Sequence, residues 1–377
     1  MLRKFGGLRR MGYLCSTIEI IKVSMKKDSI DIREEGIITE YGKDVLSTLL
    51  REHAYDLDKK EKYRHHHIFW ATDNYEIEGD GFHFSDEIQI SSITGKYSRL
   101  VRPRSDKSLE YQAKRTHDKA EVFTPSWICN AQNNLVDDAW FGEPNVFNTQ
   151  DNHTHEWTPR QDNIPFPTKT GKTWEEYVCD TRIEISCGEA PYLVSRYDTT
   201  TGVPISLEHR IGILDRKLRV VGENVRTMKD WYLWAFAALK STYGFEWQGD
   251  SLLLAREALL FTFIDYYEAF AKKHHFKTTI PYRSYLLHAA KLISWNIFQM
   301  DGLKMVLPMT CKEIFIKGET NLFETTKDQF IKCPGCKNND VHQHNGIKQL
   351  VADWNKTSWS KREKPIEIVE FHTLIQK

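Results

Sequence analysis

Between Leu252 and Lys273, apolar residues recur at helical spacing, with Leu252, Leu253, Leu259, Leu260, Phe263 and Ile264 on one stripe. That spacing predicts a long helix packed on a sheet. Just before it, Ser241 to Asp250 reads as a buried strand that ends on one carboxylate, Glu246, and turns tightly into the helix. The same rhythm recurs on either side. Thr181 to Leu193 (TRIEISCGEAPYL) reads as strand, glycine turn and helix. Ile280 to Leu292 reads as a helix with Pro281 in its first turn, and Ile293 to Leu303 as a strand or strand end. Just ahead of Thr181, Trp174 to Cys179 reads as the end of a short helix, and Ile211 to Val221 follows the glycine turn as part of an insertion. Met228 to Leu239 is helical, with Trp231, Trp234 and Ala235 on one face. Strands alternating with helices predict an α/β fold.

Upstream, Lys43 to His53 has helical spacing, with Val45, Leu46, Leu49 and Leu50 on one face. Ile68 to Ile77 and Phe82 to Ile93 read as short strands around the turn signal Glu78-Gly79-Asp80-Gly81. Gly142 to Lys172 is polar and turn-rich and reads as a long loop. Downstream, Gly346 to Trp354 and Ile366 to Ile375 read as strands of a small β tail. The chain divides on this pattern into an α+β N-terminal region (1–118), a central α/β domain (119–308) and a small C-terminal tail (309–377).

Composition narrows the picture. A chain of 377 residues, 40% hydrophobic and 28% charged, has ordinary globular proportions. The aromatic share, 12% with 11 Trp, is high, and core packing is favoured over base stacking. The formal net charge is zero, so any nucleic-acid contact must come from a local patch. Gly95 to Arg115 is the clearest one, with Lys96, Arg99, Arg102, Arg104, Lys107, Lys114 and Arg115. Such cations suit phosphates because each pairing releases condensed counterions. Seven scattered cysteines make no disulfide framework and point to a reducing compartment, the cytoplasm. No apolar run approaches the ~20 residues of a membrane span. Met1 to Arg10 is basic but lacks the apolar core of a signal peptide. Met11 and Met25 are alternative starts, and Met1 to Val23 is expected to contribute little order.

Three groups of residues carry candidate chemistry. A carboxylate at the carboxyl end of a central strand, as Glu246 is expected to be, can accept hydrogen bonds from both ribose hydroxyls of a nucleotide. Arg256, on the following helix, is expected to pair with a neighbouring acid such as Glu257. Cys333-Pro334-Gly335-Cys336 has the spacing of a metal knuckle, and His342 and His344 complete a candidate zinc set, with Cys311 as a spare. His65-His66-His67 is a poorer candidate, because adjacent side chains point in different directions.

Phe123-Thr124-Pro125, followed by a helical stretch to Asp138, resembles the segment that precedes the cofactor strand in N6-adenine DNA methyltransferases of bacterial restriction–modification systems. Glu184, Cys187 and Gly188 are similar to that family's acid-x-x-x-Gly-x-Gly loop, with Ala190 in place of the second glycine. Gly244-Phe245-Glu246 and the helix containing Ala255-Arg256 resemble its second motif, and Asn296-Ile297 ahead of Asp301-Gly302-Leu303 its third. The resemblance runs from about Lys119 to Leu307. It implies a Rossmann-like S-adenosylmethionine-dependent methyltransferase sheet of seven mostly parallel strands. In that scheme the Thr-Pro turn closes over the methionine part, Glu184 takes its amino group, Glu246 the ribose and Asp301 the adenine amino group.

The chain departs from the family at the chemistry. No Asn/Asp-Pro-Pro-Tyr/Phe tetrapeptide follows Asp301, and Asn163-Ile164-Pro165-Phe166 is an imperfect match that lies before the cofactor strand. The catalytic residues are therefore unassigned. One expectation is the S-adenosylmethionine-binding component of a DNA adenine-N6 methyltransferase. It would act on double-stranded DNA, with a second restriction–modification subunit supplying catalysis or target recognition. The other is a catalytically inactive methyltransferase-like subunit that binds DNA or a partner in a defence system. A different enzyme with another adenosine cofactor is a third.

Overall fold

The computed structural model describes residues 34–61, 64–107, 124–167, 171–318, 328–354 and 367–375. Phe123, Lys114, Arg115 and Met1 to Val23 lie outside the described residues. Two short helices, α1 (Glu34–Glu40) and α2 (Lys43–Leu49), are followed by turns and short 3-10 segments as far as Lys107. Next come α3 (Ser126–Phe141) and a hairpin of β1 (Asn148–Gln150) and β2 (Trp157–Pro159). The hairpin lies inside the segment that the polar composition marks as loop. Helix α4 (Trp174–Cys179) begins on a capping box, where Thr173 Oγ1 accepts from the Glu176 N–H and Glu176 Oε2 accepts from the Thr173 N–H.

The α/β expectation is met here in a small form. Strand β3 (Arg182–Ile185) leads through α5 (Ile213–Asn224) and α6 (Met228–Lys240) to β4 (Thr242–Glu246). Helices α7 (Gly249–Lys273) and α8 (Arg283–Asn296) then lead to β5 (Ile297–Gln299). The order β3-β4-β5 is parallel throughout, with Ile185 beside Phe245 and Glu246 beside Gln299. All three strands therefore end at one edge. Among the described residues this parallel sheet has three strands, not the seven that the resemblance implies. After Gly188 the chain makes turns rather than the expected helix, and α5 begins only at Ile213. The tail carries a ribbon of β6 (Ile314–Ile316) and β7 (Gln329–Ile331), the short helix α9 (Pro334–Asn338), and an antiparallel pair of β8 (Leu350–Asp353) and β9 (Glu367–Glu370).

The strands expected over Ile68 to Ile77 and Phe82 to Ile93 do not form. Only isolated bridges occur there, such as Phe69 with Glu87. The reason is where the backbone bonds go. The Gln299 amide accepts from the Phe69 N–H (3.0 Å) and donates to the Phe69 carbonyl (2.8 Å). The Trp70 carbonyl accepts from Gly249 N–H at 3.0 Å and the Ala71 carbonyl from Trp247 Nε1 at 3.0 Å. A segment pinned across the top of the sheet in this way cannot also run in a ladder. Gly249 is required for the approach, since a Cβ there would lie 2.2 Å from the Phe69 carbonyl oxygen.

One continuous core runs from Ile37 through the sheet helices to Trp354. Trp70 and Trp231 are fully buried, and Trp231 has the rings of Phe263 and Tyr267 at 5.2 Å. Trp70, Trp231, Trp295 and Trp354 are buried in the core, and Trp140, Trp174 and Trp234 pack against it. Helix α7 is buried on nearly all sides rather than along one stripe. Its polar residues are therefore interior. Arg256 does not pair with Glu257 as expected. It points instead at backbone carbonyls of α2 and α8.

Neither carboxylate oxygen of Glu257 has a hydrogen-bond partner among the described residues. Burial, with Glu34 nearby, lifts its pKa well above the ordinary range. A lifted folded-state pKa means the folded chain binds more protons than the unfolded one between the two values. Stability then falls as pH rises through that window. Glu257→Met is expected to match the natural protein in stability below about pH 4.3. Above it the variant gains, with a slope of up to about 1.4 kcal/mol per pH unit until the folded pKa is passed. Denaturant midpoints measured against pH test this; parallel curves for the two proteins would refute it.

Candidate functional site

A cavity of about 1020 Å³ opens at the carboxyl edge of the parallel sheet. Its size is that of a ligand pocket, and open α/β sheets bind ligands at this edge. The floor is the ends of β3 and β4, with Glu184, Ser186, Cys187, Gly188 and Glu246. One wall is α3, through Gln132, Asn133 and Val136, with Thr124 just ahead of the helix. The opposite wall is Ala71 to Asp73 and Phe84, the segment pinned by Gln299 and Trp247.

The loop after β3 is shaped by backbone conformation. Ser186, Gly188 and Ala190 have φ values of 51°, 54° and 62°. The left-handed region costs a non-glycine residue roughly 1–2 kcal/mol. Ala190, in place of the second glycine of the family pattern, therefore carries strain where glycine would not. The turn brings Gly188 N–H to 2.8 Å from Glu246 Oε2, while Gln248 N–H donates to Oε1 at 3.2 Å. Burial raises the Glu246 pKa and these two N–H groups oppose the rise. A carboxylate offers about four acceptor sites, so capacity remains toward the cavity.

Glu184 stands one strand away. Its two oxygens accept from the Tyr192 and Leu193 N–H groups at 3.4 and 3.2 Å, holding the loop closed. Burial lifts its pKa well above the carboxylate range, and proximity to Glu246 adds to the lift. Burial likewise pushes the Cys187 thiol far up, which keeps it neutral and unsuited to nucleophilic attack. Gly244 leaves room for this packing: a Cβ there would lie 3.2 Å from Leu193 Cδ1 and 3.4 Å from Cys187 Sγ.

The Thr-Pro segment is anchored from the chain that follows the glycine loop. Thr199 Oγ1 donates to the Thr124 carbonyl at 3.2 Å, and Ser126 N–H donates to Asp198 Oδ2 at 2.7 Å. Burial alone would raise the Asp198 pKa, but bonds from Thr200, Ser126 and Thr201 bring it down to about 2. Pro125 caps the start of α3.

Of the residues expected to hold a cofactor, Thr124, Glu184, Cys187, Gly188 and Glu246 therefore line one cavity. Pro125 adjoins it. Asp301 does not line it. Its Oδ1 accepts from the Leu303 and Lys304 N–H groups, and Lys304 Nζ lies 3.2 Å from Oδ2, so this carboxylate organises its own turn. Asn163 to Phe166 lies elsewhere. Ile164 N–H bonds Glu223, and Phe166 packs on Phe141 and Tyr177. The walls formed by Ala71 to Asp73, Gln132 and Trp247 went unmarked in the sequence, since no local pattern announces a segment held by side chains more than 150 residues away.

The basic patch splits. Lys96, Arg99 and Arg102 are exposed. Lys107 turns inward to lie 3.7 Å from Asp250, which also accepts from Tyr75 Oη at 2.6 Å. The histidine run diverges as expected. His66 bonds Glu87 and Glu61, while His67 bonds the Ile88 carbonyl. In the tail, Cys333, Cys336 and His344 come together, but the fourth member is Cys311. His342 stands apart, its ring 5.5 Å from that of His372 and its N–H bonded to Asp340.

Fold and site together define an α/β protein with a ligand-sized cavity at the carboxyl edge of a parallel sheet. No family model matches the chain, no curated protein matches it, and no solved structure matches it. Among the described residues no helix is long and apolar enough to cross a membrane.

Proposed function

We propose that the cavity binds S-adenosylmethionine, and that the chain is the cofactor-binding component of an N6-adenine DNA methyltransferase of the restriction–modification type, on a reduced Rossmann-like sheet. The observation that carries this reading is the convergence on one cavity of Thr124, Glu184, Gly188 and Glu246, residues separated by up to 122 positions in the order the resemblance requires. Glu246 would accept from the ribose hydroxyls, and Thr124 and the Gly188 loop would enclose the methionine part. Exposed Lys96, Arg99 and Arg102 offer a phosphate-binding face for double-stranded DNA.

Titration of the full chain with S-adenosylmethionine by calorimetry is expected to show binding. Glu246→Ala is expected to weaken it about 10- to 100-fold, the scale of one or two charge-assisted hydrogen bonds. A flat titration of the folded natural protein would sink the proposal.

A second reading, a methyltransferase-like subunit without its own chemistry, is favoured by the missing tetrapeptide and by Asp301, whose carboxylate serves its own turn. Methyl transfer to unmethylated duplex DNA, with and without a second subunit, separates the two. Activity of the chain alone supports the first reading. Activity only with the partner also supports the first, with catalysis or target recognition supplied in trans, whereas none in either case supports the second.

A further inference from the structure

The C-terminal tail holds a cluster that the cavity does not use. Cys311 Sγ, Cys333 Sγ, Cys336 Sγ and His344 Nδ1 all lie within 4.8 Å of one another. The three sulfurs stand 3.5, 3.7 and 3.6 Å from the same nitrogen. One imidazole nitrogen has either one lone pair or one proton in the ring plane, so it can satisfy one thiol but not three. Tetrahedral zinc, with Zn–S near 2.3 Å and Zn–N near 2.0–2.1 Å, places sulfur and nitrogen ligands about 3.6 Å apart. The observed separations are those of a coordination shell rather than of hydrogen bonds.

We propose that Cys311, Cys333, Cys336 and His344 bind one zinc ion in a closed, four-coordinate structural site. His342 takes no part. The surroundings are built for it. A Cβ on Gly335 would lie 2.5 Å from His344 Cγ, so only glycine lets the ring reach the knuckle. Asn345 N–H donates to Cys333 Sγ at 3.2 Å, the kind of outer bond that steadies a thiolate ligand. The Asn345 side chain accepts from Lys312 N–H at 3.0 Å and donates to the Lys312 carbonyl at 2.8 Å. It thereby ties the residue after Cys311 to the residue after His344.

The fold needs such a clamp here. Strand β6 is exposed along its length, and Phe315 and Phe330 face each other while 52% and 69% exposed. A two-stranded ribbon without a buried face is marginal in water. An ion joining Cys311 to the knuckle and to His344 closes this excursion and sets the entry to β8. It also fixes the chain two residues beyond Met309, which lines the cavity.

The full chain, purified under reducing, chelator-free conditions, is expected to carry one zinc per molecule. Cobalt replacing it is expected to show thiolate charge-transfer and tetrahedral d–d absorption. Competition with a chromophoric chelator is expected to show Cys311→Ser weakening zinc by more than about 100-fold, beyond the range of outer-shell changes. His342→Ala should keep the full equivalent. If Cys311→Ser does not fold, the cobalt spectrum of the natural protein and the metal content of His342→Ala still decide. Folded natural protein with neither zinc nor cobalt uptake, a disulfide within the cluster, or metal lost in His342→Ala but kept in Cys311→Ser would overturn the assignment.

Discussion

Asp137→Ala is expected to destabilise the protein by about 3–5 kcal/mol, the cost of breaking a buried charge cluster from one side. Asp137 is 1% exposed and sits on α3 between two buried arginines. Its Oδ1 accepts from Arg182 Nη1 at 2.6 Å and Tyr177 Oη at 3.0 Å, and its Oδ2 from Arg216 Nη1 at 2.5 Å. Arg216 also donates to Asn134 and Asn130, one and two turns back along the same helix. Removing the carboxylate leaves Arg216 with no carboxylate partner in the interior and Arg182 with only the more exposed Asp180. The helix preference of alanine returns less than about 1 kcal/mol. Because α3 carries Gln132, Asn133 and Val136, the same change is expected to loosen one wall of the cavity. Urea denaturation reads the loss. Adding Arg216→Met should recover part of it, because one stranded charge is then removed as well. A single-variant loss under about 1 kcal/mol would mean that the cluster is worth no more than a surface ion pair.

Arg256→Met is expected to cost at least about 3 kcal/mol, since several buried acceptors lose their donor together. The guanidinium is fully buried, on the third turn of α7. It donates to the carbonyls of Leu49 (2.5 Å), Arg51 (2.9 Å), Ser294 (3.0 Å) and Ile297 (2.7 Å). These lie at the carboxyl ends of α2 and α8 and at the start of β5, where backbone carbonyls have no partner within their own helix. One side chain thus joins the N-terminal helices to the sheet. Burial raises the pKa of nearby Glu52, and Arg256 opposes the rise. Without Arg256 that carboxyl is lifted further, so the deficit of the variant should grow as pH rises above the unfolded glutamate value of about 4.3 and shrink below it. A deficit that does not change between acid and neutral pH would show that Glu52 is not coupled to this arginine.

Both residues illustrate what a linear reading misses. Arg256 on a helix surface should find an acid nearby, and the expectation of Glu257 follows from treating α7 as an outer helix with one apolar stripe. The helix is instead surrounded, so its polar residues must solve their hydrogen bonding with distant backbone. Asp137 falls near the end of the helical stretch to Asp138, and its partners Arg182 and Arg216 are 45 and 79 residues away. Cys311 was only a spare ligand for the same reason, being 22 residues ahead of the knuckle.

Local patterns determined a good deal by themselves. Helical spacing marked α6 and α7 within a few residues, and the strand ending on Glu246 is β4, whereas Trp174 to Cys179, expected as the end of a helix, is the whole of α4, opened by the capping box of Thr173 and Glu176. These succeed because hydrogen bonds within a helix, caps and tight turns close over a few residues, so neighbours in sequence decide them. The gathering of Thr124, Glu184 and Glu246 around one cavity was expected from their order, yet its walls were decided only in three dimensions. Parallel pairing sets all three strand ends at one edge, and Gln299 and Trp247 then draw the Ile68 to Ala71 segment across it in place of the strand its apolar residues suggest. Buried polar groups must be paired somewhere, and which distant partner meets them depends on how the helices pack, a quantity that no short window of sequence contains.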